Sequence, residues 1–161
     1  MYLAMGIFIL VIVALDQISK YATVTSIAMG GRMEAIPGLF HFTYVRNTGA
    51  AFSTLQGQRW LFIVIYALFL LFFLWMILKK PLPFTKLEYW AMAAILGGGL
   101  GNLIDRIRLG YVVDMICTDF ITFPVFNVAD CFVTCGAILL FIHLIFWNKA
   151  FWKEEKKEKK Q

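Results

Sequence analysis

Four long apolar stretches alternate with shorter polar segments along the chain. The stretches run from Leu3 to Thr25, from Trp60 to Leu78, from Tyr89 to Ile107 and from Val128 to Trp147. A helix needs about 20 residues to cross the roughly 30 Å hydrocarbon core of a membrane, so each stretch has the length of one crossing. The pattern predicts a mainly α integral membrane protein in which four transmembrane helices form a single membrane domain, residues 1–161.

The first apolar stretch also has the length of a secretory signal peptide. A signal peptide has a basic start, an uninterrupted apolar centre and a cleavage site of small residues. This stretch has no basic start, contains Asp16 and Lys20, and is not followed by such a site. We therefore interpret it as a helix that is retained in the protein.

The segments 26–59 and 108–126 have the alternation of strands rather than the period of helices. Residues 39–46 alternate aromatic with polar or smaller side chains, and turn residues flank them at 37–38 and 47–49. Two further β-rich runs occupy residues 111–117 and 120–123. An open sheet needs water at its edges, so these runs predict a small β-sheet outside the hydrocarbon, on the extracytoplasmic side.

Composition and charge support this interpretation and give the orientation. The chain has 161 residues, of which 61% are hydrophobic and 16% charged, and its mean hydropathy of +0.76 is far from that of soluble proteins. Nine of the ten lysines lie between the second and third stretches or in the tail, residues 149–161. Positive charge favours the cytoplasmic side, so both termini are predicted to be cytoplasmic. The mixed charges of the tail indicate a topology anchor rather than a nucleic-acid patch.

Asp114 and Asp130 are carboxylates in apolar surroundings, where ionisable residues are rare and are functional candidates. Two carboxylates held together share one proton, because ionising both is costly. The ionised member can take a proton from water while the protonated member polarises a carbonyl. The pair therefore predicts aspartic-protease chemistry. For Asp130 the alternative is a helix cap with Asn127, but a cap leaves Asp114 unexplained.

Other polar residues lie inside the predicted spans. Asp16 and Lys20 are one helical turn apart, and they form either a purely structural ion pair or a part of the site. Asn102 needs a buried polar partner, whereas Arg106 on the same stripe either extends to the lipid headgroups or lines the site. Ser53 with Lys20 is a weaker candidate, as a serine–lysine dyad.

The chain offers no compact set of metal ligands. His41 is predicted outside the membrane and His143 in the cytoplasmic half of the fourth helix, so neither can join Asp114 in a zinc site. The three cysteines give no even disulfide framework and are expected to behave as small hydrophobes. We predict no metal and no cofactor.

Together these residues resemble the signal peptidase II family, the lipoprotein signal peptidases of bacteria. Five sequence blocks carry the resemblance, in an order that covers nearly the whole chain. They are DQISK at 16–20, RNTGAAF at 46–52, GGLGNLIDR at 98–106, VVD at 112–114 and FNVAD at 126–130. Met115 stands where the family commonly has phenylalanine.

The resemblance implies a function and a set of site residues. Asp114 and Asp130 match the catalytic pair of the family, and a further seven positions match residues that line or support its site: Asp16, Lys20, Asn47, Gly49, Asn102, Arg106 and Asn127. The implied reaction removes the signal peptide of a prolipoprotein just before a cysteine that carries diacylglycerol. The resemblance also implies a monomer in contact with membrane lipid, multi-pass in the bacterial cytoplasmic (inner) membrane, with no nucleic-acid partner and with the inhibitor globomycin bound at the aspartate pair.

Two other classes of protein compete with this interpretation. A small transporter would use Asp16, Lys20 and the aspartate pair as a proton relay, but it would also need polar residues in both halves of the membrane. A non-catalytic assembly protein would use Gly97 and Gly101 for helix packing, but it leaves the aspartate pair without a role.

Overall fold

The computed structural model of the chain describes residues 1–49 and 58–152. It contains four helices, which are α1 (Tyr2–Ser26), α2 (Arg59–Lys79), α3 (Lys86–Arg108) and α4 (Val128–Phe146). It also contains three strands, β1 (Arg32–Ile36), β2 (Phe40–Asn47) and β3 (Val112–Thr118). Each of the four predicted apolar stretches is a helix, and its ends lie within three residues of those predicted.

Local sequence signals explain where α2 ends and where α3 begins. At Lys80 the chain leaves α2 in a left-handed conformation with φ of 48°, and two prolines follow within three residues. α3 then begins with a capping box, in which the Thr85 hydroxyl accepts from the Glu88 N–H and the Glu88 carboxylate accepts from the Thr85 N–H. The reciprocal bonds satisfy two N–H groups that a helix start leaves without partners.

The three strands form one antiparallel sheet in the order β1-β2-β3. β1 and β2 are joined by a turn at residues 37–39, where Gly38 has φ of +76°. The predicted strands at 39–46 and 111–117 are confirmed as β2 and β3, one residue further along the chain. The strand predicted at 120–123 is wrong, because these residues form a bend and an extended segment, and the chain rejoins the sheet only through an isolated bridge between Phe126 and Ile116.

α3 is the central helix of the bundle, and small residues allow its neighbours to approach it. A Cβ added at Gly97 would lie 2.9 Å from Ile12 of α1, and one added at Gly136 of α4 would lie 2.9 Å from the backbone oxygen of Ala91 in α3. These contacts leave no room for a side chain. The close packing of α1 and α4 against α3 brings polar side chains of all three helices together at the end of the bundle near the sheet.

The outer surface of the bundle is apolar. Within the described residues, α1, α2 and α4 are each long and apolar enough to cross a membrane. Large apolar side chains such as Leu3, Leu68 and Phe141 are well exposed on these helices. A soluble protein does not expose this much apolar surface to water, whereas lipid can cover it. The chain is therefore a membrane protein.

The half of the bundle away from the sheet has an apolar core closed by one polar cluster. The core consists mainly of Met5, Met76, Met92, Ala93 and Leu96. Beyond it the Glu88 carboxylate is fully buried and accepts bonds from His143 Nδ1 at 2.9 Å and from Asn148 Nδ2 at 2.8 Å. The cluster ties the start of α3 to the end of α4.

Candidate active site

Asp114 lies in β3 with its side chain buried against the end of the helix bundle. One of its carboxylate oxygens accepts a bond of 2.9 Å from Asn47 Nδ2, and the other accepts a bond of 2.6 Å from Asn127 Nδ2. Burial raises the pKa of Asp114 to about 6, the two amide donors oppose that shift, and the charge of Asp130 adds to it. Asp114 therefore keeps a proton to higher pH than an exposed aspartate does.

Asp130 lies in the first turn of α4, in the capping box that the sequence suggested. Its Oδ2 accepts from the Asn127 N–H at 3.1 Å, and the Asn127 side chain accepts from the Asp130 N–H at 2.9 Å. The other carboxylate oxygen accepts from Asn102 Nδ2 at 2.8 Å. The cap and the candidate catalytic role are thus compatible, since the cap orients the side chain and leaves it facing Asp114 across Asn127.

Three asparagines hold the two aspartates. Asn127 donates to Asp114 through its amide and to Asp130 through its backbone. Asn102 is oriented by two donors, because its Oδ1 accepts from Lys20 Nζ at 2.8 Å and from Asn127 Nδ2 at 3.1 Å, which leaves its Nδ2 for Asp130. Asn47 completes the set from β2. The buried partner that the sequence required for Asn102 is therefore Asp130 together with Lys20 and Asn127.

A buried ion cluster lies beneath the aspartate pair. Lys20 Nζ is 2.8 Å from Asp16 Oδ2 and 3.0 Å from Asp105 Oδ2, and all three side chains are at most 4% exposed. Gln17 Nε2 donates to Asp105 Oδ1 at 3.0 Å. Sequence reasoning missed Asp105 and Gln17. The rule that drew attention to the aspartate pair, a carboxylate at membrane depth, applies equally to Asp105.

Arg106 lies on the other side of the pair and does not extend to the lipid headgroups. The residue is 2% exposed, and its Nη2 donates to the Gly49 carbonyl at 2.7 Å. The Gly49 N–H in turn donates to Asn47 Oδ1 at 3.0 Å. The guanidinium lies over the Phe62 ring of α2, 4.3 Å from its centroid. Its Nε and Nη1 have no hydrogen-bond partner among residues 1–49 and 58–152.

The aspartate pair opens into a cavity of about 960 Å³ between the sheet and the helix ends. One wall is polar and is formed by Asn47, Asn102, Arg106 and the two aspartates. The rest of the lining comes from the sheet with residues 48–49, from α2, from the segment before α4 and from α4. The part from α2, α4 and the segment before α4 includes Tyr66, Phe123, Val125, Phe126, Cys131, Thr134 and Cys135. A ligand with one polar bond and long apolar groups on either side matches a cavity that has one polar wall and an otherwise mainly apolar lining.

The structure brings all nine residues singled out from the sequence to one end of the bundle. Asp16 and Lys20 are confirmed as an ion pair. Ser53, the alternative partner of Lys20, lies outside the described residues, as do residues 50–52 of the second block and residues 153–161 of the tail. Where the structure describes the chain, no group of three His, Cys, Asp or Glu side chains is arranged to hold a metal ion.

Known proteins with similar sequences share one description. The family model described as "Signal peptidase (SPase) II" matches residues 8–146. The lipoprotein signal peptidases of Streptococcus pyogenes serotype M1 and of S. pyogenes serotype M5, strain Manfredo, are each 45% identical to the chain over 150 residues. Each alignment covers 91% of this chain and 91% of the relative.

Two solved structures have the same fold. Both are described as a bacterial membrane enzyme structure by the in meso method, one at 2.3 Å and one at 1.9 Å resolution. The first aligns with a TM-score of 0.84 over 91% of each chain, and the second with 0.81 over 90% of this chain and 94% of the other, both at 33% identity. With its family model, relatives and fold in agreement, the chain belongs to the signal peptidase II family, the lipoprotein signal peptidases.

Proposed function

We propose that Asp114 and Asp130 are the catalytic pair with which this chain cleaves prolipoproteins just before a diacylglyceryl-modified cysteine. The chain is a protease of the signal peptidase II family, which removes signal peptides from prolipoproteins. The observation that carries the aspartic mechanism is the pairing itself. Both carboxylates line one cavity, and Asn127 donates a hydrogen bond to each of them.

The chemistry that this arrangement supports needs only the two carboxylates and water. The pair holds one proton, because two adjacent buried carboxylates cannot both ionise at low cost. The ionised member removes a proton from water, the water oxygen bonds to the scissile carbonyl carbon, and the protonated member gives its proton to the carbonyl oxygen. When the tetrahedral intermediate collapses, the peptide nitrogen takes a proton and leaves. The raised pKa of Asp114 suits the role of the member that holds the shared proton.

The cavity suggests how the substrate lies. Arg106 Nε and Nη1, which have no partner within residues 1–49 and 58–152, and the amide of Asn47 are donors beside the pair. These donors are suited to the backbone carbonyls of an extended peptide. The apolar lining from α4 and residues 123–126 is suited to acyl chains next to the cut. Each CH₂ of such a chain that leaves water contributes about 0.8 kcal/mol, so the acyl chains hold the scissile bond at the depth of the pair.

The first test is dependence on the substrate's lipid. We expect a diacylglyceryl-modified precursor to be cleaved at least ~100-fold more efficiently than the same precursor without the modification, since even four buried CH₂ groups contribute about 3 kcal/mol. We also expect chelators to leave the rate unchanged. The measurement is kcat/KM for both precursors with the purified protein, in detergent and in bilayers. Efficient cleavage of the unmodified precursor, or a chelator-induced loss that zinc reverses, contradicts the proposed mechanism.

We propose that the protein is a multi-pass protein of the bacterial cytoplasmic membrane with all four helices crossing it. α3 has 23 residues, which is about 35 Å of helix at 1.5 Å per residue and matches the other three in length. The lysines flanking the α2–α3 connection support cytoplasmic termini and an extracytoplasmic sheet. The single membrane domain and the monomeric state are part of the same proposal, as is binding of globomycin at the aspartate pair.

Thiol labelling tests the orientation. In an active variant lacking the three native cysteines, we expect a cysteine at Met33 in β1 to react with an impermeant maleimide in intact cells, and a cysteine at Lys86 to react only after lysis. Both positions are exposed, so accessibility to the reagent depends on the side of the membrane alone. The reverse labelling pattern contradicts the orientation, and labelling of both positions in intact cells contradicts the membrane span of α2, the helix that separates them.

A further inference from the structure

The N–H groups that precede the two aspartates are held in the same way. The N–H of Ala129, the residue before Asp130, donates to Asp16 Oδ1 at 3.0 Å. The N–H of Val113, the residue before Asp114, donates to Asp105 Oδ2 at 3.1 Å. Each aspartate of the pair thus follows a residue whose backbone N–H donates a hydrogen bond to a buried carboxylate. These carboxylates belong to α1 and to α3.

One ammonium group connects the two buried carboxylates. Lys20 Nζ is 2.8 Å from Asp16 and 3.0 Å from Asp105, and its third contact is Asn102 Oδ1 at 2.8 Å. The three donors of an ammonium are therefore all in use. The chain of contacts from Ala129 through Asp16, Lys20 and Asp105 to Val113 is continuous and buried.

We propose that Lys20 is a positioning residue that sets the separation of Asp114 and Asp130 through Asp16 and Asp105. This inference rests on the proposed function of the aspartate pair. Without the ammonium, two carboxylates lie close together in a site of low dielectric and repel each other. Each carboxylate is bonded to the backbone beside one catalytic aspartate, so moving the carboxylates apart moves α4 away from β3.

Lys20 makes no contact with the pair itself among the described residues; it reaches Asp130 only through Asn102. Lys20 does not line the cavity, and its positive charge acts on Asp114 only from a distance, where it lowers the pKa of that carboxyl group. The charged and titratable side chains around the cluster and the pair come from six elements: Asp16 from α1, Arg46 from β2, Tyr66 from α2, Asp105 and Arg106 from α3, Asp114 from β3, and Asp130, Cys131 and Cys135 from α4.

The test is the variant Lys20→Met, which removes the ammonium and keeps most of the side-chain volume. We expect kcat for a lipidated precursor to fall about 100-fold, the loss typical of misplaced catalytic groups, with KM unchanged because the cavity lining is intact. We also expect the bell-shaped dependence of kcat on pH to become narrower. The two limbs belong to the coupled pair, and their spacing decreases as the carboxylates separate.

A triple variant in which all three charges of the cluster are removed tests whether activity lost in Lys20→Met can be recovered. In Asp16→Asn/Lys20→Met/Asp105→Asn the repulsion is gone, and the amide oxygens can still accept from Ala129 and Val113. The Gln17 amide, which now donates to both carboxylates, can turn its oxygen toward the new NH₂ groups. We expect this triple variant to recover at least part of kcat and the wild-type width of the pH profile. Thr23→Val is the matched control, since Thr23 is buried one turn further along α1 and its hydroxyl bonds only to Ser19 O. We expect it to cleave at the wild-type rate.

Other outcomes overturn the inference. If Lys20 acts only as a positive charge, both limbs of the profile move to higher pH and the width stays the same. A wild-type rate in Lys20→Met, or a folded triple variant with a narrow profile or no cleavage, also overturns it. If Lys20→Met does not fold, the triple variant decides, and failure of both to fold assigns Lys20 to folding alone. Cleavage by Asp114→Asn or Asp130→Asn in the same assay would instead refute the proposed function.

Discussion

Replacing either aspartate of the pair, in Asp114→Asn or Asp130→Asn, is expected to lower the rate of prolipoprotein cleavage by at least about 1,000-fold. The amide has nearly the shape of the carboxylate, but it can neither remove a proton from water nor supply one to the scissile carbonyl. The loss should appear in kcat, measured with purified protein and a lipidated precursor, because the chemical step is affected while the cavity lining stays in place.

Stability must be measured beside activity in these two variants. Both oxygens of each carboxylate accept bonds from N–H donors, so the NH₂ of an asparagine faces a donor in either orientation. An unsatisfied buried group of this kind costs about 1–3 kcal/mol. Asp119→Asn is the matched control, as Asp119 lies five residues after Asp114, binds His41 at 2.8 Å and does not line the cavity. Near-normal turnover by a folded Asp114→Asn or Asp130→Asn protein would remove the pair from the mechanism.

A single methyl group at Gly98 is expected to lower activity about 100-fold and to destabilise the protein. A Cβ at this position meets the Ala129 backbone oxygen and lies 2.8 Å from Val133 Cγ2, both in α4. Backbone cannot move aside as a flexible side chain can, so α3 and α4 must separate. Overpacking of this kind costs about 1–3 kcal/mol. Asn102 is one turn further along α3, and its bond to Asp130 lengthens with the separation, which misplaces the catalytic group.

The neighbouring glycine provides the control for Gly98→Ala. A Cβ at Gly99 meets only Leu70, at 3.0 Å from Cδ2, and a leucine side chain can adjust. Gly99→Ala is therefore expected to fold and to cleave close to the wild-type rate. The measurements are thermal unfolding in detergent and kcat for the lipidated precursor. Equal effects of the two alanines, or a fully active Gly98→Ala protein, contradict the argument that the α3–α4 contact positions the pair.

The helices could be predicted from the sequence because their signal is long and uniform, whereas the sheet was predicted only in part. β1 has five residues, and the alternation of polar and apolar side chains over residues 32–35 is too short to predict a strand by itself; β1 forms because the turn at Gly38 brings it beside β2. The run at 120–123 is rich in aromatic and β-branched residues, yet Phe120 and Ile121 are at least half exposed and Pro124 follows. Strand formation depends on a partner, and this segment has none among the described residues.

The sequence predicted the aspartate pair of the candidate site, but it predicted the buried ion cluster only in part. Asp114 and Asp130 stand out because a carboxylate in an apolar run is costly wherever it lies. Asp105 is a carboxylate at similar depth, but in the sequence it lies beside Arg106 near the end of an apolar stretch, and it was not singled out. Its importance comes from the N–H of Val113 and from Lys20, contacts that only the tertiary structure brings together.

The apolar core between the two polar ends of the bundle has a consequence for the proton gradient across the membrane. Among the described residues, the polar network that begins at the aspartate pair ends at Asp16. Ile12, one turn before Asp16 in α1, is fully buried, as are Met92 and Ala93 in α3. The next buried carboxylate is Glu88 at the opposite end. Across the described part of the bundle the layer acts as an electrical insulator. In the proposed orientation and mechanism, a hydrolase that exchanges protons with outside water can therefore operate without discharging the proton gradient.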